Sequence, residues 1–344
     1  MPSIVFKSRK LSLLSKSNLK HILMSDNAKL ARQLKQLSWL KQSLGATSYE
    51  AAAYARTLRW LSKHPKLTLE NIHGFVRVSP KGTAPGKSIL GKILGFLRTG
   101  NIPELVELKK SPDVRAVASF ENILGVGPKT VSDWISNGLR SPKEVLHAAH
   151  RGEIKLTRIQ EAGLKYRKDL SVRIPREEIE KISYRLARLF RAVWNSLGIR
   201  GEAPVTYVAG SYRRGQLSSG DIDIVAVIPR RSAASKFLNA VTAAVNPITI
   251  IGLGDTRTTV LIKGESLVRQ VDIIVSTPKE LATMLSYFTG PAEHNERLRG
   301  LAKKQGMTLN QYGLFSGERR LSTPTERDIY SRLGLDYVSP ANRR

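Results

Sequence analysis

The residues best suited to chemistry are two carboxylates, one residue apart, inside a short β-branched run. Asp221 and Asp223 stand in the stretch Asp-Ile-Asp-Ile-Val. Side chains alternate across a strand, so both acids leave one face while Ile222 and Ile224 enter the core on the other. Unpaired neighbours of this kind repel, and one stays protonated unless a hard divalent cation with oxygen ligands removes the cost. A third acid, Asp272, lies among Val271, Ile273 and Ile274 in a second strand-like run, where an isolated charge needs a partner. If the two strands are neighbours, three carboxylates surround a site for two Mg²⁺, with Mn²⁺ able to substitute. That arrangement serves in-line displacement at phosphorus. Acids at strand ends explain any one of the three, and all three poorly.

Upstream, Gly210-Ser211-Tyr212-Arg213-Arg214-Gly215 follows a strand-like run and opens a helix. Glycine lets the backbone come close, a helix start presents N–H groups to anions, and Ser and Arg add donors for phosphate oxygens. Such a turn alone is weak; its place about ten residues ahead of Asp221 sets a phosphate cradle beside the proposed metals. A second turn, Gly125-Val126-Gly127-Pro128-Lys129, exposes backbone N–H groups that meet DNA phosphates without reading sequence. Its plainer reading is a helix end.

These groups need elements to hold them. From Asp26 to Lys66 apolar residues such as Leu37, Leu40, Tyr54, Leu58 and Leu61 recur at threes and fours, which predicts helix as far as Pro65. A short helix follows over Lys87 to Arg98, closed by Thr99-Gly100, and another helical unit starts near Ser111. A long helix begins near Pro175 with acids behind it and ends at Gly198. Then the period changes: 205–209, 221–228, 258–262 and 270–276 read as strands of one sheet, with a helix around 232–245. From Pro278 onward helix mixes with Gly-punctuated turns.

Composition limits the partners. The 344 residues are 41% hydrophobic, and 56 Lys and Arg against 28 Asp and Glu leave +28. A field this positive implies a polyanion, of which nucleic acid is the commonest. No apolar run approaches a membrane span. The absence of cysteine excludes disulfides, thiolate catalysis and Cys-ligated zinc, and six scattered His give no zinc spacing. Residues 1–25 are basic, Ser-bearing and free of acids, which suits a mitochondrial transit segment and a DNA-tracking arm equally.

The run GSYRRGQLSSGDIDIV, 210–225, resembles the nucleotidyltransferase signature of family X DNA polymerases. The likeness extends to ILGVGPKTVSDWISNGLRS, to RIPREE, to YFTG followed by HNERLRGLAKKQGMTLNQYGLF, and to TERDIYSRLGLDYVSP. It implies an α+β, multi-domain fold: a basic extension over 1–25, a lyase-like helical domain over 26–110, helix-hairpin-helix fingers over 111–172, a nucleotidyltransferase palm sheet over 173–277 and an α/β, nucleotide-selecting thumb over 278–344. It implies a template-directed polymerase that fills short gaps in DNA repair, acting as a monomer on gapped or nicked DNA with deoxynucleoside triphosphates, in a nucleus, an organelle or a DNA virus.

Position by position, the resemblance makes Asp221 and Asp223 ligands of both metals and Asp272 a ligand of the catalytic one. It makes Arg173, Gly210, Ser211, Arg214, Ser219 and Gly220 the triphosphate's holders. Tyr287, Phe288 and Gly290 become the sugar-sensing corner, Asn295 a base contact and Arg299 a template contact. Gly125, Gly127 and Lys129 become a DNA-binding hairpin with a Na⁺ or K⁺ ion, and Lys92 aligns with a Schiff-base lysine of deoxyribose phosphate lyases, with Tyr54 supporting. There are departures. Tyr49, Glu50 and Ser88 replace basic residues of the lyase, Ala84-Pro85-Gly86 is a degenerate first hairpin, and Ala292 and Glu296 lack side chains used near the template. The very short turn Lys263-Gly264-Glu265-Ser266 implies template dependence. A template-independent nucleotidyltransferase shares the Gly-Ser and paired-Asp motif, and a catalytically silent DNA-end binder shares the charge; the thumb motif opposes the first and the three carboxylates the second.

Overall fold

The computed structural model describes residues 16–343; residues 1–15 of the basic N-terminal segment lie outside them. The chain divides into two compact units, one up to Lys155 and one from Leu156.

The first unit is helical: α1 (Lys16–Ser43), α2 (Ser48–Leu61), α3 (Ile72–Val78), α4 (Lys87–Thr99), α5 (Pro103–Leu108), α6 (Pro112–Ser119), α7 (Pro128–Ser136) and α8 (Pro142–His150). The threes-and-fours pattern on α1 puts Leu30, Leu34, Leu37 and Leu40 in the core, where burial of each side chain stabilises by about 1.5–3 kcal/mol. Breaks follow local chemistry. Thr47 and Glu50 form a reciprocal capping box at the start of α2, and proline opens each of α5 to α8. Gly100 closes α4 in the left-handed conformation.

The second unit opens with α9 (Arg158–Lys165), α10 (Arg167–Ser171), β1 (Ile174–Pro175) and the long α11 (Arg176–Ser196), then β2 (Val205–Val208), α12 (Gly210–Arg213), β3 (Ser218–Ser219) and β4 (Ile222–Val227). It continues with α13 (Ala234–Ala244), β5 (Thr249–Leu253), β6 (Arg257–Lys263), β7 (Val268–Ser276), α14 (Leu281–Thr289) and α15 (Ala292–Lys304). Last come β8 (Met307–Asn310), β9 (Gly313–Ser316), β10 (Arg319–Leu321) and α16 (Glu326–Arg332). Residues 156–172, expected with the helical stretch before them, thus belong to this unit.

Five strands form one sheet in the order β2-β4-β7-β6-β5, with β4 and β7 parallel and the other pairs antiparallel. Leu186 and Phe190 of α11 and Phe237 and Val241 of α13 pack with Ile222, Ile224 and Ile273. Val225 and Ile274, one residue along, meet Met284 and Leu285 on the other face. Both faces of the central strands are therefore covered, which explains their nearly continuous Ile and Val content. The mixed α and β architecture agrees with the sequence reading. In the final segment, expected to be α/β, the strands form a three-stranded antiparallel sheet β10-β9-β8.

One buried ion pair ties α11 to β7. Arg269 donates to Glu178 at 2.7 and 2.9 Å and to the Val172 carbonyl at 2.9 Å. The β6–β7 turn rests on this pair, with the Glu265 N–H donating to Glu178 at 3.4 Å. A side chain on Gly264 would collide with Glu178, Arg269 and the Leu267 carbonyl.

Candidate active site

The parallel pairing of β4 and β7 sets Asp223 directly beside Asp272. Asp221 stands just before β4 on the face that Asp223 also uses, since Ile222 and Ile224 are buried on the other. Burial pushes the Asp223 carboxyl up to about 7, with the charges of Asp221 and Asp272 adding to the rise and Arg257 and Arg214 opposing it. Asp221 is raised too, by burial and then by Asp272.

Asp272 is 3% exposed and is held from β6. Arg257 donates to its two carboxylate oxygens at 2.9 and 3.4 Å, and the Thr259 hydroxyl donates to one of them. Thr259 is the antiparallel partner of Asp272. Among the described residues no three acidic or histidine side chains are drawn together as a metal cage; a guanidinium stands against Asp272 instead. The donor set nevertheless fits hard divalent cations. All three side chains offer oxygen, and the neighbouring carboxylate charges that add to the burial-driven rise of Asp223 and Asp221 are of the kind a hard cation neutralises.

The glycine turn lies against these acids. Gly210 has φ +58°, and a Cβ there would overlap the Asp223 carboxylate, so only glycine lets the chain pass this close. The Ala209 N–H donates to the Asp223 carbonyl at 2.8 Å, fixing the turn to β4. Ser211 donates to the buried Ser219 at 2.8 Å, and Arg173 donates to the Ser218 hydroxyl at 2.8 Å and to its carbonyl. Gly220, exposed, completes this rim. Arg214 donates to the Thr289 carbonyl at the end of α14; desolvation lowers its guanidinium, and Asp223 is the first charge to oppose that.

The α14–α15 corner supplies a second rim. Tyr287 and Phe288 meet edge to face, their ring centroids 5.2 Å apart. Asn295 donates to the Tyr287 carbonyl at 2.6 Å, the Arg299 guanidinium lies 5.9 Å from the Tyr287 ring centre, and Gly290 takes φ +64° before a cis peptide to Pro291. Arg257 reaches this corner as well, 5.8 Å from the Phe288 ring centre.

Three family profiles match successive segments: the palm of DNA polymerase beta over residues 173–252, its thumb over 284–344, and the fingers domain of DNA polymerase lambda over 118–171. Rat DNA polymerase lambda is 31% identical over 285 residues, 75% of this chain and 47% of that protein. This chain belongs to family X of the DNA polymerases. The lambda polymerase of Arabidopsis thaliana is 27% identical over 75% of the chain and 52% of that protein. The human DNA-directed DNA/RNA polymerase mu is 23% identical over 72% of the chain and 56% of that protein. The chain thus spans about half the length of the family X relatives it matches.

Two residues that serve this family X site escaped the sequence reading. Arg257 and Thr259 become legible only once Lys263 to Ser266 is taken as a hairpin, because counting back from it sets Thr259 opposite Asp272. Arg213, read only as a phosphate donor of the glycine turn, has partners that the sequence did not show: it donates to Thr289 at 2.7 Å and to Glu326 at 2.5 and 3.1 Å, and Glu326 also pairs with Arg343 at 2.8 Å.

The remaining predicted residues lie in the first unit. Gly125 takes φ +76°, Gly127 is the N-cap of α7 with no side chain occupying the helix start, and Lys129 is exposed in its first turn. Lys92, on α4, is half-buried and pairs with Glu104 at 2.9 Å and with the Ser88 hydroxyl at 3.1 Å. Glu104 also binds Lys41 at 2.6 Å, and both lysines hold its carboxyl below the usual range against the opposing effect of burial. Burial raises the Tyr54 hydroxyl, helped by Glu104.

Proposed function

We propose that this chain is a template-directed DNA polymerase that fills short gaps during DNA repair, using two Mg²⁺ ions held by Asp221, Asp223 and Asp272. The observation that carries the reading is the side-by-side placement of Asp223 and Asp272 on parallel strands, against a turn that only glycine at 210 allows. When bound, the ions supply the charge neutralisation that phosphoryl displacement requires and make the primer 3′-hydroxyl acidic enough to attack. The chain's own residues do the rest. Arg173, Ser211, Ser219, Gly220 and Arg214 present donors to the triphosphate oxygens, and the open N–H groups of Gly210 and its neighbours add to them. Tyr287, Phe288 and Gly290 press against the sugar and disfavour a 2′-hydroxyl, Asn295 reaches the base, and Arg299 steadies the template. In the first unit, Gly125, Gly127 and Lys129 are read as a helix-hairpin-helix that grips DNA phosphates through backbone N–H groups, with a Na⁺ or K⁺ ion. The short β6–β7 turn supports dependence on a template.

A gapped duplex with one missing nucleotide and a 5′-phosphate tests the reading. The templated deoxynucleotide is added in the presence of Mg²⁺, and Asp272→Asn lowers the rate by more than the roughly hundredfold seen for residues that merely support metal ligands. Addition indifferent to the template base, or full activity in the variant, would overturn it.

A further inference from the structure

Cations are treated differently along α11. In its first turns they are paired: Arg176 meets Glu180 at 3.3 Å and Lys181 meets Glu265 at 2.8 Å. Beyond Glu180 the sequence carries no acid until Glu202. Arg185 and Arg188 are exposed there, with no carboxylate within ion-pair distance among the described residues. Tyr184, beside them, is 69% exposed. The same flank borders a hollow. With 11 residues against 21, α13 is about half as long as α11, and it is stopped by Asn246, left-handed at φ +50°, and by Pro247. What α13 leaves uncovered, together with the end of β6, is a cavity of about 670 Å³, within the range of ligand sites.

The lining has an apolar part, Leu189, Ala192 and Val245, and a charged part, Arg185, Arg188 and Lys263. Leu189 and Val245 rest on the core beneath the sheet. Arg185 donates to the Lys263 carbonyl at 3.3 Å, which ties the helix to the strand end. Charge and position decide what fits. Three cations without an acid repel one another, and carboxylates brought by a partner relieve that repulsion. Substrate DNA is on the wrong side: α11 and α13 pack on the sheet face of Ile222 and Ile224, whereas Asp221 and Asp223 leave the other face. A duplex ending at those acids has the sheet between it and the hollow. Of the lining residues only Tyr184 offers a ring on which a base could stack.

We propose that this hollow is a docking site for an acidic amphipathic helix of a protein partner, which sets an apolar side chain on Leu189, Ala192 and Val245 and carboxylates on Arg185, Arg188 and Lys263. Arg185 and Arg188 are about one helical turn apart, the spacing of acids three or four residues apart on a second helix. The small Ala192 leaves room for close approach. Tyr184 and the two arginines are of the residue types that most often carry the energy of an interface. The site is across the sheet from Asp223 and does not depend on the polymerase reading.

The test measures the anisotropy of a fluorescein-labelled helical peptide, with Leu recurring at threes and fours and Glu between, bound to the full chain. Its control has the same composition with the Leu scattered round the helix. The patterned peptide should bind about tenfold more tightly, the effect of burying one more leucine. Arg185→Glu with Arg188→Glu should abolish that preference. A patterned peptide with Lys in place of Glu should bind this variant better than it binds the wild type, a rescue that a misfolded variant would not give. Ala192→Gln should weaken the patterned peptide more than the scattered one. Lys303→Glu with Lys304→Glu, exposed elsewhere in the same unit, should cost less than half as much in log affinity. Equal binding of the two peptides by the wild type means no built site, and an equal loss in the Lys303 and Lys304 variant means a general positive field; either overturns the proposal. So does displacement of the patterned peptide by oligothymidylate, which would make this a nucleic-acid site. Gap filling at saturating gapped DNA stays at the wild-type rate in the Arg185 and Arg188 variant, and in the wild type with the patterned peptide bound, so failure of this site and failure of the polymerase reading are told apart.

Discussion

Asp223 carries the electrostatic tension of the site, and its protonation has a consequence for stability. Its carboxyl sits at about 7 in the folded chain, mainly through burial, whereas the unfolded chain releases that proton near pH 4. Between those values the native state binds more protons than the unfolded one, so metal-free stability falls as pH rises through the window. Asp223→Asn should flatten that fall in thermal melting, and Mg²⁺, which binds the ionised carboxylates, should raise the melting temperature more at pH 8 than at pH 5.5. Parallel pH profiles for the variant and the wild type would contradict this assignment. Lys92 shows the opposite arrangement, an amine with a carboxylate already in place at 2.9 Å. Schiff-base chemistry needs the neutral amine, which cannot attack while donating to Glu104. Glu104→Gln should therefore increase borohydride trapping on an incised abasic site, and Lys92→Ala should abolish it. Trapping that is equal in both variants would remove Lys92 from any lyase chemistry.

At the scale of elements, the β6–β7 hairpin sets the site's register, and the Glu178–Arg269 pair anchors it. Both partners are below a tenth exposed, and the Arg269 hydrogen bonds hold the Glu178 carboxyl below the usual range. Its contribution is present above that range and is lost as pH falls through the depressed value. Removing one partner, Glu178→Gln or Arg269→Gln, strands a buried polar group and should cost about 3–5 kcal/mol in denaturant melts, whereas Glu178→Leu with Arg269→Met should cost much less. A double variant as unstable as the singles would show that the pair sets the hairpin and does not merely fill space. Legibility in the sequence follows the same elements. Asp221 and Asp223 stood out because period two is written locally, and α11 because an apolar face runs its whole length. The β8–β10 sheet did not, since three or four residues such as Arg319–Leu321 are too few to show a period. Arg257 and Thr259 were hidden because their bonds to Asp272 exist only across a paired register, and the partners of Arg213 because Glu326 lies far along the chain.

For the whole molecule the net charge of +28 decides how binding responds to salt. Lys and Arg outnumber Asp and Glu in each of the two units, so neither is a neutral passenger on a nucleic acid. Several acids are taken up in ion pairs: Asp272 by Arg257, Glu178 by Arg269, Glu326 by Arg213 and Arg343, and Glu104 by two lysines. The excess of Lys and Arg over Asp and Glu is left to meet phosphates. Each phosphate neutralised on a duplex adds about 0.9 to the slope of log affinity against log salt, and a surface of this kind should engage about six or more. Titration of gapped duplex from about 50 to 200 mM salt should therefore give a slope of about −5 or steeper. Turnover at saturating DNA should change far less over the same range, because the charges around Asp223 are buried and weakly screened. A slope shallower than about −2 would mean that the positive surface serves some partner other than DNA, and that the Gly125 turn and the sites around it contribute little to holding the substrate.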